Sequence, residues 1–229
     1  MSKKENNGIL LFVKCPEIGK VKSRMATSIS IKKVAKIYSF FVEDTLDRLK
    51  ETSYDIIICY YPDEAINKFK NWLGSDYSYM PQKGINLGER LKKGFEKGFQ
   101  QDFTKLIALG SDSPDLYISI IDDAFENLDK FDTIIGPCED GGYYLLGFSK
   151  QSFFPGVFDK IPWSSEKVFE RSIKALSKAN QKVFILPLWN DVDTIDDLFN
   201  LYKKNQNTDF KNSKTMNYIS KYYKNIKKL

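Results

Sequence analysis

Hydrophobic residues along this chain fall into short, nearly continuous runs, separated by stretches where they recur every three or four positions. GILLFVK (8–14), YDIIICYYP (54–62), KLIALG (105–110), DTIIGP (132–137), YYLLGF (143–148) and KVFILP (182–187) read as strands. Runs of that length, bounded by Gly, Pro or polar residues, suit strands buried on both faces. Helical patterns lie between them: Ile31 to Lys50, a segment with Ile66, Phe69, Trp72 and Leu73 on one face, LGERLKKGFEKGFQQ (87–101), Ser119 to Leu128, and Thr194 to Lys203. The stretch between Leu73 and Leu87 reads as irregular.

Strands alternating with helices predict an α/β fold: a mostly parallel sheet with helices on both faces, in three layers. YYLLGF follows DTIIGP too soon for a crossover helix to fit, so the sheet is expected to be mixed, with an antiparallel intrusion there. A single domain is expected over 1–229, with its core at 8–201. KKNQNTDFKNS (203–213) is linker-like, and 214–229 is expected to form a basic C-terminal helix.

Composition narrows the chemistry. The chain has 229 residues, 42% hydrophobic and 28% charged, which is ordinary for a soluble globular protein. No apolar run approaches the ~20 residues of a membrane span, and MSKKENN carries no apolar signal core. A cytoplasmic protein is expected. Net charge is +5, from 35 basic and 30 acidic side chains, too mild to argue for nucleic acid. Cys15, Cys59 and Cys138 lack C-x-x-C spacing and read as reduced, packed thiols. There is no histidine. That excludes Ser-His-Asp and Cys-His machinery, His-ligated zinc and histidine acid/base catalysis. Chemistry must rest on carboxylates, Lys/Arg, hydroxyls, backbone amides or a hard metal.

In parallel sheets of this kind, ligands bind at the carboxyl ends of the strands. Three strand exits carry acidic residues. In GSDSPDL, Ser113 reads as an N-cap, Pro114 as a first helical residue and Asp115 as a first-turn carboxylate, which leaves Asp112 aimed at the crevice. GPCEDGG supplies Glu139 and Asp140 ahead of Gly141 and Gly142. In NDVDTIDDL, Thr194 and Asp197 form a capping pair, and Asp191 and Asp193 are left over. Clustered carboxylates require a neutralising cation, and oxygen ligands without His or Cys select Mg²⁺ or Mn²⁺. The loop after the first strand, KCPEIGKVKSR, places Lys14, Lys20, Lys22 and Arg24 around Gly19, which suits a diphosphate. It matches neither a Walker loop nor a G-x-G-x-x-G fingerprint.

FVKCPEIGKVKSRM, QKGINLGERL, LGSDSPDL, GPCEDGGYYLLGF, IPWSSEKVF and NDVDTIDDL, in that order, resemble a glycosyltransferase-like family of the GT-A nucleotide-diphospho-sugar transferase superfamily, some of whose members are associated with arsenosugar biosynthesis. More distantly, the chain is similar to phospholactate guanylyltransferases and molybdenum-cofactor nucleotidyltransferases. The resemblance implies a GT-A, Rossmann-like fold. It implies that Lys14, Lys22 and Arg24 hold phosphates, that Asp112 and Asp193 are metal-side carboxylates, and that Gln82, Gly84, Leu87, Gly88 and Glu89 lie beside base and ribose. This chain has Asp-Ser-Pro-Asp where relatives carry Asp-x-Asp.

For sugar transfer, Asp140 is the candidate base for the acceptor hydroxyl, with Glu139 in reserve. Tyr143, Tyr144 and Trp163 are candidates for stacking on acceptor or sugar, and Ser164 or Ser165 reads as the N-cap of a following helix. Three functions stand open: glycosyl transfer from a nucleotide-diphosphate sugar to a small-molecule acceptor, nucleotidyl transfer from a triphosphate to a phosphorylated small molecule, and non-catalytic nucleotide-sugar binding. Base, sugar, acceptor and oligomeric state are left undetermined.

Overall fold

The computed structural model describes residues 6–226, with side chains as far as Lys221. The first five residues of MSKKENN and the last three of the expected basic helix lie outside that range. The strands are β1 (Asn7–Lys14), β2 (Asp55–Tyr61), β3 (Ser78–Pro81), β4 (Lys105–Gly110), β5 (Thr133–Pro137), β6 (Tyr143–Ser149) and β7 (Val183–Ile185). The helices are α1 (Ile31–Leu49), α2 (Ile66–Leu73), α3 (Leu87–Gln100), α4 (Ile118–Asn127), α5 (Val168–Lys178), α6 (Ile195–Lys204) and α7 (Lys214–Ile226).

All seven strands join one sheet in the order β3-β2-β1-β4-β6-β5-β7. It is parallel except at β6, which runs antiparallel to both β4 and β5. The short link from β5 to β6 therefore forms a hairpin, as its length requires. Alternate residues of each strand point to opposite faces. Ile9, Leu11, Ile58, Ile107 and Ile134 pack under α1, α2, α4, α6 and α7. Leu10, Ile57, Ala108, Ile135, Leu146 and Phe148 pack under α3 and α5. This is the three-layer α/β arrangement expected, and both faces are apolar because both are covered. No helix among the described residues is long and apolar enough to cross a membrane. All three cysteines are free and buried.

Two expectations need correction. The stretch between Leu73 and Leu87 contains a strand, β3, whose Ser78 to Pro81 pair with Ile57 to Tyr60. It is an edge strand of four residues ending in proline, which an edge tolerates, and it carries no apolar run. The helix after β4 spans Ile118 to Asn127, close to the expected Ser119 to Leu128, but Ser113, Pro114 and Asp115 do not form its start. Ser113 to Leu116 form a turn, and Asp115 is buried as an anchor rather than exposed at a helix start. It accepts from Trp189 Nε1 at 3.1 Å and Asn205 Nδ2 at 2.9 Å, with Lys204 Nζ 3.1 Å away.

α7 is fixed to α1 by a carboxylate. Buried Asp44 accepts the Lys214 N–H at 2.9 Å and the Thr215 N–H at 2.8 Å. These are first-turn amides of α7, which have no partner within the helix. Asp44→Ala should lower stability by about 1–3 kcal/mol, because it strands buried donors. Urea unfolding measures this, and a loss below about 0.5 kcal/mol would show that α7 does not depend on the contact.

Candidate functional site

A cleft of about 910 Å³ opens at the carboxyl edge of the sheet. It lies where the strand order turns: β1 is followed by β2 on one side and borders β4 on the other. Such switch points are where loops part and leave a crevice.

Lys22 organises one wall. It sits in the loop after β1, where the backbone turns through positive φ at Gly19 (77°) and at Lys22 itself (47°). A lysine adopts that left-handed conformation only where its surroundings hold it. Its Nζ lies 2.6 Å from Asp112 Oδ1, after β4, and 2.6 Å from Asp193 Oδ1, ahead of α6. The Lys22 side chain is 5% exposed, against 45% for Asp112 and 33% for Asp193. Burial alone would lower the lysine pKa, but the charges and hydrogen bonds of Asp112 and Asp193 outweigh it and hold the ammonium above the ordinary lysine value. The two acidic loops are also joined directly, by the Val192 N–H to the Asp112 carbonyl at 2.9 Å. Arg24, exposed, reaches Asp193 Oδ2 at 3.6 Å.

Deeper in, Asp191 accepts from Cys138 Sγ at 3.0 Å and from the Ser113 hydroxyl at 3.2 Å. Burial pushes its pKa up to about 6, and the nearby Asp112 and Asp140 charges add to the rise, while the Cys138 hydrogen bond and Lys22 oppose it. Burial also raises the Cys138 pKa, reinforced by the Asp191 charge, so the thiol stays protonated and donates. Asp140 stands on the β5–β6 hairpin, where Oδ1 accepts the Gly142 N–H at 2.8 Å. Oxygens of Asp140 and Asp191 and the Cys138 sulfur all lie within 4.8 Å of one another.

The cleft thus brings together Lys14, Lys22, Arg24, Gln82, Asp112, Asp140, Asp193, Gly142, Tyr143 and Trp163 from the sequence reading. Gly19, Gly88, Glu89, Glu139 and Gly141 are not among its lining residues. Glu139 is exposed. Glu89 accepts the Ile85 N–H at 3.3 Å, beside the Asn86 cap of α3. Gly88 and Gly141 act at one remove. A Cβ at Gly88 would overlap the Trp163 indole, and one at Gly141, where φ is +84°, would overlap the Glu166 carbonyl. Gln82, expected beside the base, spends its amide N–H₂ on the Val13 and Cys59 carbonyls, at 3.2 and 2.7 Å. Ser165 is not the α5 N-cap: it accepts the Lys167 N–H at 3.3 Å, one turn before the helix begins at Val168.

Sequence reasoning missed Arg90, Tyr38 and Ser111. Arg90 lines the cleft with its guanidinium over the Tyr61 ring, 3.9 Å from the centroid, and its Nε donates to the Gly84 carbonyl at 3.1 Å. In the sequence it is one more cation on an amphipathic helix, distinguished only by its place in the first turn after a strand exit. The Tyr38 hydroxyl receives the Lys14 N–H at 3.0 Å and lies 3.0 Å from Ser111 Oγ. Its pKa is pushed up to about 12, first by burial and then by the Asp112 charge.

The fold is that of the Rossmann-like nucleotide-diphospho-sugar transferases. A family model described as "Uncharacterized protein conserved in bacteria (DUF2064)" matches residues 45–165, and the chain belongs to that family. The structure is similar to that of the "putative nucleotide-diphospho-sugar transferase" of Desulfovibrio desulfuricans G20, with a TM-score of 0.94 and 40% identity over 98% of each chain. It shares its fold with a cytidylyltransferase from Leptospira borgpetersenii serovar Hardjo-bovis, at TM-score 0.56 and 16% identity over 96% of this chain and 95% of that one. It also shares it with Rv0371c of Mycobacterium tuberculosis H37Rv in complex with manganese, at TM-score 0.52 and 14% identity over 85% of this chain and 96% of that one. No curated protein is matched by the chain.

The raised Asp191 pKa makes stability depend on pH. The folded state holds this proton more tightly than the unfolded chain, whose carboxyl titrates near pH 3.9. The contribution is therefore complete below about pH 4 and is lost as pH rises through about 6, by at most ~3 kcal/mol. Asp191→Asn should flatten that fall and be the more stable protein at pH 7. Urea midpoints across this range measure it, and an unchanged slope would mean that Asp191 titrates normally.

Proposed function

We propose that this protein transfers a sugar from a nucleotide-diphosphate donor to the hydroxyl of a small-molecule acceptor, with the help of a divalent metal, and that residues 1–229 form one such domain. The observation that carries this reading is the pairing, in one cleft at the sheet's switch point, of Lys14, Lys22, Arg24 and Arg90 with Asp112, Asp140, Asp191 and Asp193. The name borne by the relative that is 40% identical over 98% of each chain supports it.

The donor set fits Mg²⁺ or Mn²⁺. Asp112 and Asp193 share one buried ammonium, Arg24 reaches the second oxygen of Asp193, and Asp191 lies close enough to feel the Asp112 charge: these are oxygen ligands of the kind a hard cation takes. Asp112 and Asp193, with Asp191 beside them, would hold the ion. The protonated Cys138 thiol is no partner for a hard cation. Bound there, such an ion would stabilise charge on the departing diphosphate. Lys14, Lys22 and Arg24 bind the phosphates and favour the same charge. Asp140 accepts the proton of the acceptor hydroxyl as the new C–O bond forms and the bond to the diphosphate breaks. Its hydrogen bond to Gly142 fixes one oxygen and leaves the other for that proton. Trp163, edge-to-face with Tyr143 and seated over Gly88, gives the sugar or acceptor an apolar wall.

Four cations are also enough for a triphosphate, and this supports a second reading, nucleotidyl transfer to a phosphorylated small molecule. A thermal-shift panel separates the two: UDP- and GDP-sugars, free diphosphates and all four triphosphates, each with Mn²⁺ and with chelator. Ligand at about a hundred times its dissociation constant should stabilise the fold by roughly 2.7 kcal/mol. A Mn²⁺-dependent shift strongest with one diphosphate sugar is expected. Preference for a triphosphate would favour the second reading, and silence throughout would sink both. Asp140→Asn should keep the nucleotide shift while losing about 10²–10⁴ in transfer rate. A variant that transfers at the parental rate removes Asp140 from the chemistry.

A further inference from the structure

Asp112 and Asp193 are the carboxylates that would hold a metal, and Lys22 is an ammonium that would hold phosphate, yet in the structure these three groups hold one another. Both contacts, at 2.6 Å, lie at the short end of charge-assisted hydrogen bonds. The Lys22 side chain is almost wholly enclosed, while Asp112 stands nearly half open to the cleft. An ammonium and a divalent ion would draw on the same two carboxylates.

We propose that Lys22 is a resident counter-ion that exchanges partners: it neutralises Asp112 and Asp193 until a divalent cation takes those carboxylates, and the released ammonium then turns to the phosphates of the nucleotide. Neither partner can be left bare. A buried ammonium without carboxylates is costly, and carboxylates at this spacing without a cation repel. Each ligand alone weakens both ion pairs and satisfies only one side of what it loosens, so metal and nucleotide bind weakly singly and strongly together. This is a coupling between sites in the thermodynamic sense, equal in both directions. Lys14 and Arg24 are exposed, and the longer Arg24 contact to Asp193, at 3.6 Å, does not enclose its charge. The second half of the exchange rests on the nucleotide reading above. The first half, competition between Lys22 and the ion, stands on the carboxylates alone.

The test titrates Mn²⁺ into the full chain without nucleotide, following the paramagnetic resonance signal of the free ion. Lys22→Met, checked for native circular dichroism, should bind Mn²⁺ on the order of ten-fold more tightly than the parent. The unaltered protein supplies a second readout that does not depend on a variant folding. Acylation of Lys22 by an amine reagent, measured by mass spectrometry, should rise when Mn²⁺ is added and fall again when a nucleoside diphosphate joins it. Equal or weaker Mn²⁺ binding by Lys22→Met, or labelling of Lys22 indifferent to Mn²⁺, overturns the exchange. A protein that behaves as expected toward Mn²⁺ but ignores every nucleotide bears out the competition and overturns the proposed function instead.

Discussion

The Lys22 ammonium joins three segments that are remote in sequence: the loop after β1, the loop after β4 and the turn ahead of α6. Buried ion pairs seldom add net stability, because desolvation consumes most of the Coulombic gain. What such a pair does well is to penalise any arrangement in which a member is left alone. The three loops are consequently held in mutual register at the carboxyl edge of the sheet. Asp112 and Asp193 remain partly exposed, so the burden of desolvation falls on the lysine.

Around that pair the cleft divides chemically. Cations from the first loop and from α3 occupy one part, with Arg90 laid flat on Tyr61 so that its plane is fixed before any ligand arrives. The β5–β6 hairpin and the segment leading to α5 supply the other part, where two glycines let backbone and indole approach more closely than any side chain would permit. The same glycines therefore shape the apolar wall without touching its contents.

Much of the fold can be read from the chain, since buried strands of Ile, Leu and Val announce themselves and helices show their period. β3 could not be read in this way: an edge strand of four residues with one buried side chain has no periodicity to display. The capping pair Thr194–Asp197 was legible because its chemistry is local, and the structure has both of its reciprocal bonds. Asp115 was not, because its partners Trp189, Asn205 and Lys204 lie more than seventy residues away. In the site, residue types at strand exits pointed to Asp112, Asp140 and Asp193. The partnership of Lys22 with two of them, and the protonated Cys138 beside Asp191, depend on how loops fold over one another.

The reversed strand β6 constrains how this cleft can change shape. Because β6 runs against its neighbours, the hairpin bearing Asp140 is anchored at both ends within the sheet, five residues from Pro137 on one side to Tyr143 on the other. A loop tethered so tightly cannot swing unless two ladders of hydrogen bonds shear. The place of Asp140 is thereby set by the sheet itself and not by contacts among loops. On the other side of the cleft the Lys22 loop takes its position from side-chain ion pairs instead, so the two sides are held by different kinds of bond.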